Sequence, residues 1–170
     1  MSDSDQSFNN GDTSKGVEVV PILTLLNGNT VRVLTHGKTT DQRLTVLEYV
    51  DFICGSPPPF TRHEFIEVFS VLEGRLAFQY LGEAPFYVPA GDAVTVPSGL
   101  SHTFWNPDDQ PSRIMLVCTP AGLDSFFEAI HCEAEKLKAG EIGQHEVSSS
   151  MAKLRVEYGI EEVAAAPSID

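Results

Sequence analysis

The sequence predicts an all-β sandwich or small barrel followed by helices, on three observations. Up to Pro120, short segments rich in β-branched and aromatic residues alternate with turn-forming clusters. After Pro120 the apolar residues recur at helical spacing. The length, 170 residues at 42% hydrophobic and 21% charged, suits one domain with its own core and is short for two.

Taken in order, residues 1–17 hold no periodic apolar pattern and are rich in Ser, Asp, Asn and Gly, the composition of a disordered acidic tail. The barrel is expected over 18–120. Its strands are predicted at Thr30–Thr35, Arg43–Val50, Glu67–Leu72, Arg75–Leu81, Phe86–Val88, Ala93–Val96, His102–Trp105 and Arg113–Cys118. Clusters such as Gly55 to Pro59, Glu73-Gly74, Ala90-Gly91-Asp92 and Asn106-Pro107-Asp108-Asp109 separate them. Residues 121–170 form the helical extension. Leu123, Phe126, Phe127, Ile130, Ala134 and Leu137 define one helix, with Asp124 and Glu128 early, Lys136 and Lys138 late, and Gly140 as its stop. A second helix is predicted over Ser150 to Tyr158, capped by serines and stopped by Gly159. Each has a single apolar stripe, which places it against the outside of the barrel or in a dimer contact.

Eleven Lys and Arg against 24 Asp and Glu give a formal charge of −13. That balance argues against nucleic acid or an anionic membrane face as partner, since the phosphate contribution would be repulsive. No apolar run approaches the ~20 residues of a spanning helix, and the first residues are acidic where a secretory signal would be basic and then apolar. Three cysteines, Cys54, Cys118 and Cys132, stand at unrelated spacings, so reduced thiols in a cytoplasmic protein are expected.

The most informative segment is Gly91-x5-Pro97-x-Gly99-x2-His102-x3-Asn106. Gly91 and Asp92 turn the chain, Pro97 and Gly99 bend it again, and His102 then opens a strand that faces inward. This segment resembles the second motif of the cupin superfamily at every specified position. Upstream, Glu67 precedes Gly74 at the spacing of the second half of the first cupin motif. The run from Ser56 to Gly74 resembles the quercetin-dioxygenase-like, single-domain branch. Thr119 to Glu128 is similar to the start of that branch's C-terminal helix, and Glu157-Tyr-Gly-Ile-Glu161 to its closing segment. The resemblance implies a double-stranded β-helix, the jelly-roll barrel of cupins, with one or two C-terminal helices.

That branch usually binds a divalent metal through His-x-His, a glutamate and the second-motif histidine. Here the first motif reads in two registers. Anchored on Pro57-Pro58-Pro59, the His-x-His positions hold Phe60 and Arg62, neither of which ligates a metal. Anchored on Gly55, they hold Thr61 and His63, so that His63, Glu67 and His102 form a two-histidine, one-carboxylate set suited to Fe, Mn or Zn. Neighbouring strand residues face opposite sides, so the registers exclude each other unless the strand bulges. The prolines and the residue count to Gly74 favour the first slightly. Arg62 would then point at Glu67 in place of a cation, and His63 would face solvent. The catalytic candidates are His102 as general base, Glu67, and Arg62 to hold an anionic or enolic oxygen. The two registers imply, respectively, no metal and one divalent metal.

Aromatic residues on the face of His102 would wall an apolar cavity. His36, His131, His145 and Cys118 carry no expected role. The resemblance implies an oxidoreductase or dioxygenase-like enzyme of natural-product metabolism, acting on an apolar, oxygenated, aromatic or polyketide-like molecule. The residues themselves lean toward metal-independent cyclisation or isomerisation by His102, and a non-catalytic binding protein is the alternative of another class. An exposed barrel edge would suit a homodimer.

Overall fold

Antiparallel strands in two sheets build the barrel in the computed structural model, which describes residues 20–168. The tail expected over residues 1–17 lies outside them. The strands are β1 (Ile22–Thr24), β2 (Thr30–Thr35), β3 (Thr45–Phe52), β4 (Phe60–Arg62), β5 (Ile66–Glu73), β6 (Arg75–Tyr80), β7 (Phe86–Pro89), β8 (Ala93–Val96), β9 (His102–Trp105), β10 (Ser112–Thr119) and β11 (Glu161–Ala164). Helices α1 (Leu123–Lys138) and α2 (Gln144–Glu157) stand between β10 and β11. One sheet has the order β1-β2-β3-β10-β5-β8 and the other β11-β4-β9-β6-β7. This is the expected all-β double-stranded β-helix with two C-terminal helices.

Alternation sets which side chains meet inside. On β5, Glu67, Phe69 and Val71 are buried; on β10, Ile114, Leu116 and Cys118; on β3, Leu47 and Tyr49. Cross-strand register aligns them in rows, with Glu67 opposite Cys118 and Phe69 opposite Leu116. The smaller sheet closes over them with Phe78 from β6 and His102 and Phe104 from β9. Gly74 makes the β5–β6 turn at φ +76°, where a side chain would meet the Ser112 hydroxyl at 2.5 Å. That hydroxyl accepts from Arg75 N and donates to Arg75 O, pinning the turn to β10.

The predicted strands are present, with boundary shifts that have local causes. β3 starts at Thr45 and not Arg43, because the Thr40 hydroxyl donates to Leu44 O at 2.7 Å and holds the preceding residues in a turn. β1, β4 and β11 are too short to show an alternating pattern. Helix α2 begins six residues before the predicted Ser150. Gly143 N donates to Glu146 Oε2 at 2.6 Å to fix the first turn, and Ser148 lies inside the helix, its hydroxyl bonded back to Gln144 O. His145 is therefore helical. The extension after Pro120 is not helical throughout, since β11 returns to pair with β4 at the edge of the smaller sheet.

Helix α1 does not lie on the barrel's outside. Its apolar stripe, Leu123, Phe126, Phe127 and Ile130, joins the core and roofs the open end of the barrel. Asp124 fastens its first turn, accepting from Gly37 N at 2.9 Å and from the Thr45 hydroxyl at 2.8 Å. No helix among the described residues is long and apolar enough to cross a membrane.

Candidate metal centre

Glu67 comes from β5 of the larger sheet, while His102 opens β9 of the smaller sheet and His63 directly follows β4 beside it. The site therefore lies where the two sheets face each other. Thr61 of β4 is the cross-strand partner of His102. The loop carrying the second motif is tied to the first motif by Gly99 N donating to His63 O at 2.8 Å, and Gly99 itself takes φ +76°. Asn106, the last motif residue, is buried and structural. Its amide donates to Phe52 O and Gln110 O, and its Oδ1 accepts from Asp108 N.

His63 Nε2 lies 2.9 Å from Glu67 Oε2, and His102 Nε2 lies 3.2 Å from the same oxygen. All three residues are at least 95% buried, and their ligating atoms fall within 4.8 Å of one another. Each ring is oriented from behind. His63 Nδ1 meets Phe65 O at 2.9 Å and His102 Nδ1 meets Leu100 O at 3.0 Å. A backbone carbonyl only accepts, so each Nδ1 carries its proton and each neutral ring turns its Nε2 lone pair toward Glu67. Phe65 stacks on His63 at 3.7 Å between ring centroids and Phe78 on His102 at 5.5 Å, which fixes both ring planes.

With both rings neutral, three lone-pair donors converge with no donor hydrogen between them. Such a set needs a proton or a cation at its centre. Ligands about 2.0–2.2 Å from a metal in neighbouring positions lie about 3 Å apart, close to the separations from Glu67 Oε2. Histidine ligands with the far N–H bound to a carbonyl are the usual outer support of such a site. The residues present fit a divalent metal. With a proton in that place, one imidazolium faces the carboxylate. Burial pushes the Glu67 carboxyl up, but hydrogen bonds from His102 and His63 outweigh it and hold it below the usual carboxylate range.

The structure settles the register. Thr61 and His63 belong to the cavity side, and Arg62 is turned away. Arg62 is exposed and pairs with Glu161 of β11, its Nε 3.2 Å from Glu161 Oε2. It cannot replace a cation beside Glu67, because β11 offers it a carboxylate on the outer face of β4. Phe60 is buried but does not line the cavity. His63 faces the interior and not solvent.

A cavity of about 580 Å³ opens from the three residues toward α1 and α2. Tyr49, Phe52, Phe104 and Leu116 wall its barrel part, and Phe127, Ile130 and Met151 its helical part. Trp105, the sole tryptophan, also lines it. Sequence reasoning missed Tyr49 and the helical contribution. The α1 stripe had a signal, its strong apolar face, but spacing alone does not say what that face covers.

The Cupin domain family matches residues 49–118, which contain all three converging side chains. Those residues are similar to the Cupin domain family, and the chain shares its fold with solved cupins. No curated protein matches its sequence. Among solved structures, an RmlC-like cupin from Shewanella frigidimarina is 20% identical over 67% of this chain and 96% of its own, with a TM-score of 0.54. The polyketide cyclase RemF from Streptomyces resistomycificus is 22% identical over 59% of this chain and 73% of its own, with a TM-score of 0.52. The DMSP lyase DddQ from Ruegeria pomeroyi is 27% identical over 46% of this chain, with a TM-score of 0.40, and only 39% of that lyase's length is spanned. The first two likenesses show the shared fold and do not single out the quercetin-dioxygenase-like branch.

Proposed function

We propose that this protein is a metal-dependent small-molecule enzyme of oxidoreductase type, with His63, Glu67 and His102 as ligands. The observation that carries the reading is the convergence of three lone-pair donors whose ring orientations are fixed from behind. Two histidines and one carboxylate leave coordination positions open, the arrangement of non-haem iron oxygenases. The bound metal would supply Lewis acidity and, as iron, a place for O2 to bind.

The chain's own residues do the rest. Glu67 would offset one positive charge of a bound metal, and the Nδ1–H bonds to Phe65 O and Leu100 O hold both rings in line. Thr61, where the family pattern has a further histidine, is too weak a donor to be counted as a ligand and would leave that position to substrate. The apolar walls exclude water and select a largely apolar, oxygen-bearing substrate.

Metal analysis of untagged protein tests this. About one iron, manganese or zinc per chain is expected, and His63→Ala should fall well below that. Wild-type protein that holds no metal after exposure to all three ions would overturn it. His102 and Glu67, 3.2 Å apart, would then favour the second reading, a metal-independent cyclase or isomerase in which His102 moves a proton. A folded protein that binds but never converts any ligand would leave the non-catalytic alternative.

A further inference from the structure

Tyr49 is 4% exposed, lines the cavity from β3, and is clamped by three aromatic rings. Phe52, Phe104 and Phe127 stand 5.0, 6.4 and 5.8 Å from it between centroids, coming from both the barrel and the roof. Its ring is thus held by packing alone. Its hydroxyl makes no hydrogen bond to any described residue, whereas a buried tyrosine normally finds a partner for it. Among the described residues the one fully sealed side-chain nitrogen or oxygen without a partner is Arg32 Nε. The Tyr49 hydroxyl is not sealed in that way, and the open space that Tyr49 lines is the cavity. Burial, and then the negative charge of Glu67, push this phenol far up, so it keeps its proton. A hydroxyl that is rigid, protonated and without a partner among the described residues in an apolar chamber lacks only an acceptor.

We infer that Tyr49 is the cavity's hydrogen-bond donor for its ligand, donating from Oη to a carbonyl or comparable acceptor oxygen carried on an apolar frame. This deepens the proposed function, resting on its reading of the cavity as a site for an apolar oxygenated molecule and not on metal occupancy. The ligand is then held by two polar contacts of different kinds, one at the triad and one at Tyr49, with apolar contact elsewhere. Tyr49 is a positioning residue in this scheme, and a ligand without the acceptor leaves its hydroxyl desolvated and unpaired.

Calorimetric titration with 1-tetralone and with tetralin, the same frame without the oxygen, tests the assignment. The two ligands are measured against wild type, Tyr49→Phe and Glu67→Gln, with metal content determined on each sample. In Tyr49→Phe, 1-tetralone should bind about 3- to 10-fold more weakly, the effect of one neutral hydrogen bond, and tetralin within about twofold of wild type. The thermal midpoint of Tyr49→Phe should not fall, since the hydroxyl serves no protein group. Equal weakening of both ligands, an unchanged affinity for 1-tetralone, a lowered midpoint, or no binding of 1-tetralone to wild type would each overturn the inference. If metal is absent but the tetralone difference persists, the metal reading fails and the role of Tyr49 stands. If metal is bound and the difference is missing, the reverse holds.

Discussion

Glu67 and Asp124 are equally buried, each 5% exposed, yet their surroundings are built on opposite principles. Asp124 is met by fixed donors, the N–H of Gly37 and the hydroxyl of Thr45, together with backbone N–H groups at its own end of α1. Its charge is satisfied by the fold. Among the described residues Glu67 has only two ring nitrogens within reach, and both carry lone pairs when neutral. Its charge is left for a proton or a cation to satisfy. One carboxylate therefore closes a structure, and the other keeps a site open. Buried charge by itself does not mark function; the chemistry of the partners does.

Exchanging each acid for its amide should separate the two roles, and the largest effect is expected at Glu67. Glu67→Gln keeps the shape and removes the charge. Metal affinity should fall by more than the ~100-fold that loss of an outer support can cost, while the urea midpoint moves little. Retained metal would place the ligands elsewhere. Asp124→Asn should do the opposite, losing about 1–3 kcal/mol of stability and leaving metal content unchanged, because Gly37 N and the Thr45 hydroxyl lose a charged acceptor.

The acid side of the stability profile extends the contrast. Burial pushes the Asp124 carboxyl up, but the bonds from Gly37, Thr45 and the helix N–H groups outweigh it and hold it below its ordinary 3.8. A depressed carboxyl stabilises the fold above that value and loses its contribution as pH falls through the lower, folded value. Wild type should therefore lose stability below about pH 3.8 more steeply than Asp124→Asn, as urea titrations at successive pH would show. Parallel profiles would break the comparison.

Cys118 senses both acids. It is the cross-strand partner of Glu67, and burial, then the charge of Glu67 and that of Asp124, push its thiol up to about 12. With a thiol-specific reagent at pH 8, exposed Cys54 and Cys132 should react in the folded protein and Cys118 only after unfolding. Early loss of all three thiols would show an interior more open than this packing. The smallest effect belongs to Arg62. Arg62→Ala removes an exposed pair with Glu161 and should leave metal content at the wild-type level. Loss of metal there would return Arg62 to the site.

Much of this was legible in the residues. The Gly91–Asn106 spacing brings His102 to the start of an inward-facing strand, and Glu67 precedes Gly74 at the matching distance, so the carboxylate and one imidazole of the site were readable. The neighbouring histidine, His63, was readable only in one of two competing registers, and the less favoured one. Three prolines in front of Phe60 make a strong local anchor, but β4 takes its phase from pairing with β9 and β11, which local sequence does not encode. Arg62 had no visible outer partner because Glu161 lies 99 residues away and in a strand of four residues. Tyr49 was hidden for another reason. A tyrosine in an apolar strand reads as core, and only the missing partner of its hydroxyl sets it apart.

The pairing of β11 with β4 also has a meaning for biosynthesis. While the chain emerges from the ribosome, the strand that leads into His63 can join β9 early, yet its other side stays bare until Glu161–Ala164 has been made. Through that interval an open sheet edge lies beside a half-built candidate site, exposed to chaperones and to other nascent copies.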